Sequence, residues 1–192
     1  MGWDHGSRGC HGGSSYGAYV HVHKAGVVDS SCLPYVAKTQ NCTSENTCEQ
    51  NLHFTGHPVP IKPQRHFVSE YGIVGKSTPG SNPGPVSPVP PGNEAAMLKE
   101  IYARGPISCC MATKAPGFRN YTRGILHVSS NRTACDHLVA VVGFGGAGNG
   151  AYWQVQNSFG STWGEGGYFR IKRLSALLPG EHNLGIELAV SW

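Results

Sequence analysis

The sequence lacks three features that would each indicate a particular class of protein. No apolar run approaches the roughly 18 to 20 residues of a membrane-spanning helix, and Met1 to Asp4 lead directly into polar sequence without the apolar core of a signal peptide. Charged residues make up only 14% of the chain, and its lysines and arginines are scattered although the net charge is +4. We therefore expect no contact with membranes and no nucleic-acid-binding surface.

The cysteines and histidines do not have the spacing of a metal site. No CxxC pair occurs among the seven cysteines. The residues near the N-terminus that could bind zinc do not make a closed ligand set; they are His5, Cys10, His11, His21 and His23. We therefore expect no metal ion and no other cofactor.

The cysteines instead indicate an oxidising compartment. Four of them lie among glycine, serine and asparagine, as in disulfide-rich secreted domains, and these are Cys10, Cys32, Cys42 and Cys48. An odd total leaves at least one thiol without a partner within the chain. Three glycosylation sequons favour the same setting, at Asn41, Asn120 and Asn131. The sequence therefore predicts a lysosomal or secreted protein.

Residues 1–76 contain one recognisable element and much loop-like sequence. Ser14 is typical of a helix N-cap and Gly26 of a helix end, so we predict a helix between them. From Val27 to about Lys76 no periodicity is present, which predicts loops held together by disulfides. Residues 77–93 are rich in proline and glycine and predict a surface insertion that does not pack into a core.

Residues 94–192 combine one helix with strands. Asn93 is a predicted cap, Met97 and Ile101 recur at helical spacing, and Gly105 ends the pattern. Short apolar segments separated by turn residues then predict six strands, at 106–113, 124–128, 137–145, 151–158, 167–173 and 184–190. One helix followed by antiparallel strands predicts an α+β lobe whose sheet curls into a barrel.

Two residues in this second part are suited to nucleophilic catalysis. His137 stands in the segment DHLVAVVGFG, and Asn157 follows in VQNSFGSTWGEGGYFRIKR. A thiol becomes a good nucleophile when an imidazole takes its proton, and the imidazole works only when a third group fixes its orientation. His137 and Asn157 are the residue types of the base and the orienting group.

These segments resemble the papain family of cysteine peptidases, from about residue 4 to the end apart from the insertion. GCHGG resembles the glycine turn beside the family's substrate groove. AAMLKEIYARGPIS resembles the helix and the following strand that enter the family's right-hand barrel. The resemblance implies an incomplete papain-like fold, a single peptidase domain with a right-hand antiparallel β-barrel lobe and one helix, plus a remnant of the left-hand helical lobe. Gly12 and Gly13 would let a substrate backbone lie close, because a Cβ there would obstruct it.

The same resemblance implies roles for four residues of the barrel lobe. His137 would be the general base and acid, and Asn157 would hydrogen-bond the ring nitrogen that faces away from the thiol. Trp163 would help to exclude water from that bond, which is harder to break in a dry site. Phe159 stands where the family usually has a tryptophan, so the apolar cover is smaller.

One departure from the family concerns the nucleophile. In the family it lies in a CGSCW-like motif at the start of a central helix, shortly after the glutamine of the oxyanion hole. Neither motif occurs in these 192 residues. We therefore expect the C-terminal portion of a peptidase that is inactive alone. GPISC, the NYT sequon and NLGIEL are more typical of a carboxypeptidase branch of the family.

The cysteines also depart from the family pattern. The pattern implies a Cys32–Cys48 disulfide, whereas Cys10 and Cys42 would have lost their partners. Cys109 would normally bond a cysteine near the C-terminus, where this chain has Val190. The sequence leaves the pairing of the remaining cysteines open, Cys110 and Cys135 included.

Two alternatives remain open at this stage. Cys135 precedes His137 by two residues and could share its strand face, although no helix N-terminus would stabilise its thiolate. The chain could also be a non-catalytic papain-like domain that binds peptides or partner proteins without cutting them. In either case we expect a monomer whose ligands are peptides or proteins.

Overall fold

The computed structural model describes residues 12–38, 50–54, 57–61, 63–74, 93–131, 133–188 and 190–192. The chain divides into two compact units, Met1–Tyr71 and Gly72–Trp192. Residues 72–74, which the sequence placed in the first part, hydrogen-bond to the end of the chain. Gly72 exchanges backbone hydrogen bonds with Trp192, and Val74 donates to Val190.

The first unit contains the predicted helix, α1, at Ser15–Ala25. The Ser14 Oγ accepts the Gly17 N–H at 3.0 Å, which satisfies one of the free donors at the helix start. Gly26 ends the helix with a φ of 69°, a conformation that glycine adopts readily. Both predicted ends are therefore confirmed.

A β-hairpin in the first unit contradicts the prediction of loops throughout Val27 to Lys76. Strand β1, Gln50–Phe54, pairs antiparallel with β2, His57–Ile61. Pro58 and Pro60 weaken the strand pattern because proline has no N–H for a ladder. A two-stranded sheet tolerates them, since each strand is an edge and needs partners on one side only.

The second unit contains one long helix and a six-stranded sheet. Helix α2, Asn93–Arg104, ends before Gly105 and buries Met97 and Ile101, as the sequence predicted. The sheet order is β4-β7-β6-β5-β3-β8. The strands are β3 at Ile107–Met111, β4 at Ile125–Leu126, β5 at His137–Gly145, β6 at Tyr152–Gln156, β7 at Tyr168–Lys172 and β8 at Val190–Ser191.

Two details of this sheet differ from the prediction. Strand β4 runs parallel to β7, so the sheet is mixed and not wholly antiparallel. Residues 184–190 do not form one strand, because Leu184 has a φ of 59° and the following residues turn. The apolar residues Leu184 and Ile186 are buried in the core and have no exposed surface. Their apolar pattern therefore indicates burial and not an extended backbone.

The core of the second unit surrounds Trp153, which is fully buried. Its indole N–H donates to the carboxylate of Glu187 at 2.7 Å, and the Leu174 N–H donates to the same oxygen at 2.8 Å. Burial raises the pKa of Glu187, and these hydrogen bonds only partly offset that effect. An acidic side chain is thus an integral part of the apolar core.

A second carboxylate fastens the parallel strand pair. Glu165 accepts two hydrogen bonds from the Arg170 guanidinium, at 2.6 and 2.9 Å, and a third from the Gly124 N–H at 2.9 Å. The hydrogen bonds from Arg170 lower the pKa of Glu165 to about 2. The hydrogen bond from Gly124 therefore joins the residue just before β4 to the segment that leads into β7.

Candidate active site

The sheet brings the two predicted catalytic residues together. His137 is the first residue of β5, and Asn157 directly follows β6, its antiparallel neighbour. The start of one strand therefore lies beside the end of the other. The His137 Nε2 is 2.9 Å from the Asn157 Oδ1.

The backbone around Asn157 defines the direction of this hydrogen bond. The Ser158 N–H donates to the Asn157 Oδ1 at 2.8 Å, so the oxygen and not the amide nitrogen occupies that position. An oxygen can only accept, and His137 therefore donates from Nε2. The Nδ1 lone pair remains to take a proton, and within the described residues it has no hydrogen-bond partner.

This geometry predicts a single tautomer of the neutral His137 ring, with the proton on Nε2. We expect long-range ¹⁵N–¹H spectra to show Nε2 protonated and Nδ1 unprotonated. The variant Asn157→Ala should lose this preference, because no other described acceptor faces Nε2. His182, whose ring lies elsewhere in the same unit, serves as the internal control and should not change. An Nδ1–H tautomer in the unmodified chain would contradict the assignment.

Aromatic rings cover one side of the pair. The Phe159 ring is tilted against the His137 ring with centroids 5.1 Å apart, and it contacts Trp163 edge-on at 5.4 Å. Phe159 is 43% exposed, so it forms the outer part of the cover. The Trp163 indole N–H donates to the Arg119 carbonyl at 3.0 Å, which holds the tryptophan behind Phe159.

Phe118 is the innermost ring of this cover and is not among the site residues predicted from the sequence. Its side chain has no exposed surface and lies between the site and the core. Ring contacts connect it to His137 at 6.5 Å and to three other aromatic residues, namely Phe159, Trp163 and Phe169. It lies in an irregular loop, where neither helical nor strand periodicity marks a buried position.

Asp136 anchors the chain just before His137. Its Oδ1 accepts the Thr113 N–H at 2.7 Å and the Thr113 hydroxyl at 2.8 Å, and its own N–H donates to the Met111 carbonyl. Burial acts to raise the pKa of Asp136, but the hydrogen bonds from Thr113 outweigh it and lower that pKa. The carboxylate is therefore occupied in positioning β5.

A disulfide between Cys110 and Cys135 makes a further connection to this segment, with the Cα atoms 5.4 Å apart. It excludes Cys135 as a substitute nucleophile, because a disulfide sulfur has no thiol to ionise. Cys109 keeps its thiol but has no exposed surface, and burial raises its pKa strongly. In the β3–β8 pairing Cys109 stands directly opposite Val190.

The predicted groove and disulfide residues belong to the first unit. Gly12 and Gly13 belong to the first unit and are exposed, and Gly12 has a φ of 97°. Cys32 is half-buried, and Cys48 lies outside the described residues, so the Cys32–Cys48 bridge stays a prediction.

The three glycosylation sequons are described only in part. The asparagines at 120 and 131 are exposed, and the one at 41 lies outside the described residues.

No group of three or more potential metal ligands is found in the described part of the chain. The same residues contain no helix that is long and apolar enough to cross a membrane.

Comparison with known proteins gives a consistent result. The model of the papain family cysteine protease matches residues 3–191. Cathepsin Z of Onchocerca volvulus is 32% identical over 192 residues, covering 95% of this chain and 54% of the relative. Human cathepsin L2 is 30% identical over 193 residues, covering 97% of this chain and 47% of the relative. The chain therefore spans about half the length of these relatives.

A solved structure shares the fold. The cysteine protease of Carica candamarcensis in complex with E-64 superposes with a TM-score of 0.69 at 28% identity, covering 97% of this chain and 70% of that one. The papain-like α+β fold that the sequence predicted, in incomplete form, is thereby confirmed.

Proposed function

The chain belongs to the papain family of cysteine proteases, and from this premise we propose that it supplies the histidine and asparagine of a cysteine-peptidase site. The observation that carries the proposal is the hydrogen bond from His137 Nε2 to Asn157 Oδ1. It leaves Nδ1 free to take a proton from a thiol and later to return it to the leaving amine. The substrates would be peptides or proteins, bound by a monomer.

Within the family, we propose that the chain is part of a carboxypeptidase of the cathepsin X type, also called cathepsin Z. The GPISC, NYT and NLGIEL segments support this assignment, as does the 32% identity to the Onchocerca volvulus cathepsin Z. Such an activity removes residues from a free C-terminus. Extending the chain with a family segment that contains the nucleophile should give an enzyme that cleaves peptides with a free C-terminus and not their amidated forms.

The 192 residues alone should not hydrolyse peptides. The CGSCW-like motif is absent, and none of the cysteines described in the second unit offers an accessible thiol, because Cys109 is buried and Cys110 bonds Cys135. Peptide substrates with a fluorogenic leaving group, assayed with and without a thiol reductant, should show no turnover above buffer. His137→Ala is the control, since turnover that this variant abolishes would contradict the expectation.

A second candidate function is peptide binding without cleavage. Phe159 gives a smaller apolar cover than a tryptophan would, and Cys109 stands opposite Val190 without a disulfide partner. Both features favour a site that is no longer selected for catalysis. In-frame coding sequence upstream decides between the two. A cysteine in a CGSCW-like motif would support the peptidase, and serine or glycine at that position would support the binding domain.

We also propose a lysosomal or secreted location, which the sequons and the Cys110–Cys135 disulfide support. Expression through the secretory pathway should add N-glycans at Asn120 and Asn131, because both are exposed. Treatment with an endoglycosidase should increase gel mobility, and Asn120→Gln with Asn131→Gln should reduce that change. Unaltered mobility of the secreted chain after treatment would count against this location.

A further inference from the structure

The loop between β3 and β4, Ala112–Gly124, is strongly biased in charge. It contains three cationic residues and no acidic residue. Lys114, Arg119 and Arg123 are all exposed. We refer to residues 112–124 as the cationic loop.

The cationic loop contacts His137 and the residue before it at two points. At one, Thr113 donates two hydrogen bonds to Asp136, the residue before His137. At the other, the Phe118 ring faces His137 with centroids 6.5 Å apart. Lys114 and Arg119 directly follow these two contact residues, so the backbone of each is fixed beside the site.

The acidic groups next to this loop do not neutralise its cations fully. Asp136 offsets part of the charge of Lys114, which is among the groups that lower the pKa of Asp136, and its Oδ1 also accepts two hydrogen bonds from Thr113. Glu165 is occupied by Arg170 and the Gly124 N–H. Among the ion pairs of the described residues, none includes Lys114, Arg119 or Arg123.

We propose that the cationic loop recognises acidic side chains of a peptide bound at the His137–Asn157 pair. This inference rests on the proposed function, since it assumes that a peptide lies there. Exposed cations on a loop held at fixed points attract a carboxylate without prior reorganisation, and the attraction weakens as salt is added. Peptides rich in aspartate and glutamate are thus the favoured ligand class.

The test compares three synthetic peptides that differ only in carrying glutamate, glutamine or lysine at the same positions. Amide NMR spectra of the 192-residue chain measure binding and also show where each peptide contacts the protein. We expect the glutamate peptide to bind roughly three- to fivefold tighter than the glutamine peptide, with shifts in the cationic loop and at His137. The lysine peptide should bind most weakly, and higher ionic strength should reduce the differences.

The variant Lys114→Gln/Arg119→Gln should lose the preference for glutamate. Lys99→Gln, an exposed position on α2, is the matched control and should retain it. Dispersed amide spectra of both variants verify that they are folded. Equal binding of all three peptides at His137 would overturn the inference but leave the proposed function intact. If none of the three peptides shifts the amide resonance of His137, no peptide binds at this pair. That outcome would overturn both the inference and the proposed function.

Discussion

Replacing Phe118 by alanine is expected to lower the free energy of unfolding by about 3 to 5 kcal/mol, the usual cost of deleting a buried phenylalanine ring. The ring has no exposed surface. Its centroid lies 5.3 Å from those of Trp163 and Phe169, with the latter contact edge-on. Such ring pairs add stability beyond the buried area, and a cavity at this point would have aromatic walls on several sides.

The variant should also weaken the cover of the active-site pair. Phe159 rests on Phe118 at 6.0 Å, so the loss of the inner ring leaves Phe159 with less support over His137. Water would then reach the Nε2–H more easily. We expect faster exchange of that proton in imidazole spectra, measured under conditions in which the variant is folded.

Phe144→Ala is the matched control for these experiments. Phe144 has the same side chain but is 42% exposed, and its ring contacts Trp153 at 6.3 Å. Urea denaturation should therefore give less than half the loss seen for Phe118→Ala. If the two variants lose equal stability, the central position assigned to Phe118 is wrong.

The second large effect concerns the disulfide. The double variant Cys110→Ser/Cys135→Ser should lose about 3 kcal/mol of unfolding free energy. The bridge closes a loop with a sequence separation of 25 and therefore reduces the conformational entropy of the unfolded chain. Denaturation of the oxidised wild type and the variant gives the difference. The His137 tautomer should survive in the folded variant, since Asp136 still anchors the start of β5.

One control separates the disulfide from a general effect of removing cysteine. Wild type treated with a reductant should unfold like the double variant. A double variant as stable as the oxidised protein would show that the Cys110–Cys135 bridge does not contribute to the stability of the fold.

Local signals were the most predictable part of this fold. The ends of α1 depend on Ser14 and Gly26, the residues that flank the helix, because the Ser14 side chain and the Gly26 backbone each act within one helical turn. The position of His137 at the start of β5 and of Asn157 after β6 follows from two strand segments separated by glycine turns. Both strands pair as close neighbours, so sequence order is sufficient to bring the two side chains together.

Features that depend on distant partners could not be predicted in this way. Strand β4 pairs parallel with β7, and Glu165 accepts a hydrogen bond from Gly124, 41 residues earlier in the chain, so this contact has no local signature. The Cys110–Cys135 bridge could not be distinguished from other pairings by spacing alone. Phe118 belongs to an irregular loop, and only the assembled aromatic rings show that it is buried.

The buried carboxyl of Glu187 makes folding of the second unit a proton-linked equilibrium. Its raised pKa means that the folded chain holds this proton more tightly than the unfolded chain, so its contribution to stability is greatest in acid and is lost as the pH rises through that raised value. Glu165 acts oppositely, since its contribution is lost only as the pH falls from about 4.5 toward about 2. Between them, these two glutamates contribute most to the stability of the second unit in mildly acidic solution.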